Sequence, residues 1–141
     1  MRFADSLPPL AERDVSAIES ALGIVFPAEL RTLYLHANGG IPEPYVFEND
    51  DLDTVVSEFL PLDADRTRTA ANAYRRLVLE KRLVPLEFFP FAIDGGGNYF
   101  FVDTDSPDGT VHFHAHDTAS DEPLRNLHVR FAEFWSLLKD E

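Results

Sequence analysis

The sequence predicts an α+β domain: a single domain with an antiparallel β-meander sheet packed with about four helices. Three observations predict it. Apolar residues repeat at helical spacing near both ends of the chain, in Glu12–Leu22 and Phe131–Lys139. Between them lie three runs with strand character, Phe88–Asp94, Asn98–Asp103 and Thr110–His116. Turn residues separate those runs, Gly95-Gly96-Gly97 at the first junction and Ser106-Pro107-Asp108-Gly109 at the second. Helices flanking an antiparallel meander are the mark of this class.

The elements follow in order. Val15, Ile18 and Leu22 give the first helix one apolar face, and Gly23 stops it. Ile24-Val25-Phe26 is a short apolar link. Pro27 suits the first turn of a second helix with Leu30, Leu33, Tyr34 and Ala37 on one face. Asn38-Gly39-Gly40 is expected to end that helix in left-handed geometry. Tyr45-Val46-Phe47 reads as a short strand, Asp50-Asp51 as a turn, and part of Leu52–Leu62 as a strand. A third helix is expected over Thr67–Leu83, with Ala70, Ala73, Tyr74 and Leu77 on one side. In the last helix Phe131, Phe134, Trp135 and Leu138 stand at i, i+3, i+4 and i+7. No internal repeat or linker divides the 141 residues, which suit one domain over 1–141 with its core at about 12–138.

Composition narrows the function classes. There is no cysteine, so disulfides and thiolate metal sites are excluded. No apolar stretch approaches the roughly 20 residues of a membrane helix, and no apolar signal region precedes Pro8-Pro9. The expectation is a soluble, cytoplasmic protein. Twelve basic and twenty-five acidic residues give a net charge of −13, which disfavours nucleic acid and anionic membranes as partners. The charge is uneven. Glu43, Glu48, Asp50, Asp51, Asp53, Glu58 and Asp63 occur with no base among them, whereas six of the twelve bases fall between Arg66 and Arg82.

The glycine triplet resembles a phosphate loop only superficially. A phosphate loop opens a helix and places a Lys and a hydroxyl behind the glycines. Here Asn98-Tyr99-Phe100-Phe101-Val102 follows, which favours a strand, and no Lys lies between Lys81 and Lys139. A hairpin turn is the reading.

Four ordered blocks now line up. They are Ile18-Glu19 with Leu22-Gly23, Phe26-Pro27 and Asn38-Gly39-Gly40; Phe91 to Asn98 with Asp103; Gly109-Thr110-Val111 leading to His116-Asp117; and Phe131-Ala132-Glu133-Phe134. From about Glu12 to Leu138 the chain resembles the SUKH superfamily, which includes the fungal Smi/Knr cell-wall assembly regulators and many bacterial proteins. The resemblance implies an immunity protein that binds and neutralises a polymorphic toxin without catalysis. It also implies that the motif residues are fold determinants: Asn38, Gly39 and Gly40 at the helix end, Asp94, Gly95, Gly96 and Gly97 at the hairpin, and Asp103 and Asp117 at strand ends. One departure is Arg130, which stands where family members often carry a Ser able to cap the last helix.

Chemistry on the chain itself is sparse. Alternation places His112, His114 and His116 on one strand face, neighbours roughly 7 Å apart. Two could share one metal; a site would need further ligands such as Asp117 or Asp103. The alternative is a polar, partly exposed face opposite Val111, Phe113 and Ala115. Asp103 to Gly109 departs from a calcium loop, with Pro107 and Asp108 at its fifth and sixth positions, and reads as a solvated turn. No serine lies in a nucleophile elbow.

The leading expectation is therefore a cofactor-free binding protein, not an enzyme, whose partner is a basic toxin domain such as a nuclease. Its expected contacts are Glu48, Asp50, Asp51 and Asp53, with Tyr45 and Phe47 as aromatic anchors. Its expected state is a monomer or weak homo-oligomer. The alternatives are a regulatory module with a partner other than a toxin, and a small metal-dependent enzyme using the histidine strand.

Overall fold

Six strands hydrogen-bond in the order in which they occur along the chain. They are β3 (Val46–Glu48), β4 (Asp53–Phe59), β5 (Phe88–Asp94), β6 (Tyr99–Asp103), β7 (Thr110–His114) and β8 (Leu124–Arg130), all neighbours antiparallel. β1 (Arg2–Ala4) and β2 (Ile41–Glu43) form a separate antiparallel pair. The computed structural model describes residues 2–115 and 123–140. The expected β-meander is present and longer than anticipated, with β8 added at its far end.

Register shifts interrupt β4, β5 and the β7–β8 pairing. Such bulges bend a strand and increase its twist. The sheet accordingly curls until the loop after β3 reaches β8. Asn49 Nδ2 donates to the Leu127 carbonyl at 3.0 Å, and Arg125 Nη1 donates to the Asp51 carbonyl at 2.8 Å.

The interior of the curl is aromatic. All but Phe3 of the twelve phenylalanines are buried. Phe134 meets the rings of Phe47, Phe91 and Phe100 at 5.1, 5.3 and 5.1 Å. It belongs to α4 (Phe131–Phe134), which runs into a 3-10 turn, Trp135–Leu137. The i, i+3, i+7 face of Phe131, Phe134 and Leu138 is buried, so this last helix plugs the concave side of the sheet. Arg130 makes no side-chain cap; its Nε bonds Glu133 at 3.0 Å, and the Phe131 N–H donates to the Gly109 carbonyl at 2.8 Å. The missing N-cap is thus offset by a backbone acceptor from the β6–β7 turn.

α1 (Glu12–Leu22) ends at Gly23 with φ 71°, and α2 (Ala28–His36) follows Pro27. Between them Ile24 and Phe26 are buried and Val25 faces out. The Glu19 carboxylate fixes the joint by accepting from the Phe26 N–H at 2.7 Å and from the Arg31 guanidinium. α3 (Ala70–Ala73) continues as a π-helical segment, Tyr74–Glu80. It starts three residues later than expected because Thr69 acts as N-cap, its Oγ1 accepting from the Asn72 N–H at 3.1 Å.

The Asn38-Gly39-Gly40 segment needs a correction. α2 ends one residue earlier, at an extended Ala37 (φ −150°), so the three residues do not form its left-handed cap. They run on as a close-packed crossing. Gly39 has φ 77°, and a Cβ there would lie 2.5 Å from Pro61 N. Gly40 exchanges backbone hydrogen bonds with Phe59.

Candidate partner-binding surface

The β3–β4 hairpin is shaped by Asn49. Its Oδ1 accepts from the N–H groups of Asp51 (2.9 Å) and Leu52 (3.0 Å), which closes the turn, while its amide reaches β8. The exposed Asp50 and the partly exposed Asp51 lie in this turn, and Glu48 and Asp53 face each other as a register pair below it. Like charges directly opposite destabilise a sheet. Lys139 relieves this one by pairing with Glu48, whose carboxyl it holds below the usual range through a hydrogen bond and its charge. Asp51 Oδ2 lies 3.1 Å from His128 Nδ1.

Several expected surface acids are therefore already engaged. Glu43 pairs with Arg2, Glu48 with Lys139, Asp51 with His128, and Glu58 with Arg66 and Arg68. Among the described residues, Asp50 and Asp53 have no ion pair. Both are exposed. Tyr45 is half-buried beside the hairpin, and its carbonyl accepts from the Val56 N–H at 2.7 Å. Phe47 must be corrected: it is 0% exposed, stacked on Phe134, and offers a partner no surface. Its acidic neighbours suggested an anchor, but the ring belongs to the core.

β8 escaped the sequence reading, yet Arg125, Leu127 and His128 fix this hairpin. The signal was Leu127 and Val129 in alternation, both buried, amid polar neighbours. His128 has φ 58°, and Asn126 Oδ1 accepts its N–H at 2.8 Å. That local bond supports a left-handed residue which sequence pattern does not reveal.

The motif residues are dispersed over the fold and hold backbone, the Asp94 turn lying beside the start of β4 and Gly39 beside its end. Asn38 Oδ1 accepts from the Leu62 N–H at 2.8 Å, and its Nδ2 donates to the Asp63 carbonyl at 3.2 Å. Asp94 is buried. Its Oδ1 accepts from the N–H groups of Gly96 (2.9 Å) and Asn98 (2.8 Å), and its Oδ2 from Thr54 Oγ1 (3.0 Å) and Asn98 Nδ2 (3.3 Å). A phosphate loop leaves its N–H groups open to a ligand; here a side chain from the same turn consumes two of them. Of Gly95, Gly96 and Gly97, only Gly97 (φ 82°) uses glycine's left-handed freedom. Asp103 Oδ1 accepts from the Asp105 N–H at 3.0 Å, closing the next turn. Asp117 lies outside the described residues, as does His116.

The histidine strand is less polar and less open than expected. His114 is buried, and His112 is half-buried with its ring 4.5 Å from that of Phe88. Among the described residues His112 Nδ1 is buried without a hydrogen-bond partner, and desolvation lowers the imidazole's pKa. The face opposite Val111 and Phe113 is thus partly exposed at His112 and closed at His114. Among the described residues, no group of three His, Cys, Asp or Glu side chains is placed to hold a metal ion. No helix among them is long and apolar enough to cross a membrane.

The class these features define is an α+β domain with a curled antiparallel sheet, closed by its own hairpin and plugged by its last helix. A family model described as the SMI1 / KNR4 family (SUKH-1) matches residues 9–140, and the chain belongs to that family. No curated protein and no solved structure gave a match.

Proposed function

We propose that this protein is an immunity protein, which binds a basic toxin domain through its acidic β3–β4 hairpin and performs no catalytic turnover. Family membership supports the class of function. The observation that carries the choice of surface is the exposed, unpaired pair Asp50 and Asp53 on a turn whose backbone is tied to β8. A preorganised loop loses little entropy on docking. Uncompensated carboxylates on it attract a partner whose own surface is positive because it binds phosphate. Tyr45, Glu48 and Asp51 flank the pair and form the rest of the proposed contact, acting in the cytoplasm of the protected cell.

Co-expression with basic toxin domains from the same cell, scored by survival, tests the function. Kinetics of the purified complex test the surface. Replacing Asp50 and Asp53 by Lys should slow association about tenfold or more at low salt, with little change in dissociation. Salt-insensitive binding to a neutral or acidic partner, or unchanged association by the double variant, would overturn the proposed surface.

A further inference from the structure

The basic half of the charge distribution has its own geometry. Arg66 and Arg68 share Glu58, at 2.6 and 3.7 Å. Among the described residues, Arg75 and Arg76 meet no carboxylate at ion-pair distance. Arg75 instead donates to Asn72 Oδ1 at 3.2 Å, and Arg76 Nη2 to Tyr99 Oη at 2.9 Å.

Arg68, Arg76 and Tyr99 line one concavity of about 500 Å³ with Thr67, Thr69 and Asn72; Glu80 also forms part of its wall. Its size falls in the range of small-molecule sites, about 300–1,000 Å³. Apart from Glu80, its side-chain polar groups can donate. Tyr99 Oη has accepted the Arg76 N–H, which leaves the phenol proton to be given. Thr69 Oγ1 has accepted from the Asn72 N–H and keeps its own proton. The Asn72 carbonyl oxygen is occupied by Arg75. The Arg76 guanidinium and the Tyr99 hydroxyl face the hollow with donors to spare, and Arg68 stands beside them while sharing Glu58.

We propose that this concavity binds the phosphoryl group of a small molecule. A flat carboxylate is saturated by one guanidinium fork. Donors from a helix and from the neighbouring strand β6 suit a tetrahedral oxyanion better. Tyr99 fixes the Arg76 fork before the ligand arrives, and Glu80 limits affinity by repulsion. This site is separate from the acidic hairpin and does not depend on the toxin-binding proposal.

Calorimetric titration with pyrophosphate, inorganic phosphate and citrate at constant ionic strength tests it. Pyrophosphate should saturate a single site. Arg76→Gln should weaken that binding about tenfold or more, because a charge-assisted hydrogen bond is lost. Arg68→Gln and Tyr99→Phe should weaken it less, Glu80→Gln should tighten it, and Arg13→Gln on α1 should leave it unchanged. All five positions are at least partly exposed, and circular dichroism checks that each variant is folded. Absence of saturable binding, equal affinity in Arg76→Gln, or citrate bound as tightly as pyrophosphate would overturn the proposal.

Discussion

Replacing Asp94 by Ala should cost about 3–4 kcal/mol, the sum of lost acceptor contacts discounted for exposure. The carboxylate collects four hydrogen bonds while only 6% exposed. A hydrogen bond to a charged group contributes roughly 1.5–3 kcal/mol when buried, less where water replaces the lost partner. The Gly96 and Asn98 amides sit at a turn that water reaches, so about 1 kcal/mol each is appropriate. The Thr54 bond ties the turn to the adjacent strand β4 and contributes about 1–1.5 kcal/mol, with the longer Asn98 amide contact adding a fraction. For 141 residues the unfolding entropy near the midpoint is about 0.3 kcal/mol/K, so Tm should fall by roughly 10–13 °C. Chemical denaturation gives the free energy directly. Asp94→Asn, which keeps an acceptor for the backbone amides, should lose about half as much. A double-mutant cycle with Thr54→Val should show coupling of about 0.5 kcal/mol or more. A loss under about 1 kcal/mol for Asp94→Ala, with no coupling to Thr54, would refute the view that this carboxylate builds the turn.

Three further outcomes are expected. Tyr34 is buried with its hydroxyl unpartnered among the described residues, and burial pushes its phenol pKa far up; Tyr34→Phe should therefore raise stability by about 1 kcal/mol, read as a Tm about 3 °C higher, and a lower Tm would contradict it. Gly39→Ala forces a Cβ against the Pro61 backbone at a positive φ, and should cost about 3 kcal/mol or more in denaturant titration. The His112 pKa is lowered in the fold by desolvation, so the unfolded chain takes up a proton first on acidification. Stability is full above the unfolded value of about 6.5 and declines below it until the folded pKa is passed. His112→Asn should flatten that part of the pH–stability curve, measured by urea midpoints, whereas an unchanged slope would assign it to other groups.

Local signals made much of the architecture legible. Val15, Ile18 and Leu22 before Gly23 marked α1 with its observed ends. Turn chemistry at Gly95–Gly97 and Ser106–Gly109 marked the β5–β6 and β6–β7 hairpins. β8 was not legible because only Leu127 and Val129 carry its alternation, with Arg125 on the same face, and because it is stabilised by partners distant in sequence. β1 and β2 have three residues each, too few for a period to show. Phe47 looked like a surface anchor because its neighbours are acidic; it is buried because the curl brings α4 beneath it. The charge of the hairpin was readable, whereas its side-chain partners were not, since Lys139 lies 91 residues from Glu48 and His128 lies 77 from Asp51.

Beyond α4, the backbone of Lys139 exchanges two 2.9 Å hydrogen bonds with Val46. This contact works as a latch across the outer margin of β3. Slow amide exchange at Val46 would then report on residues far away in sequence, and loosening the segment after α4 would release the acidic hairpin from one side. A ligand protein that extends the sheet there by strand addition must first displace Lys139, so recognition at that margin carries an opening step that recognition through side chains avoids.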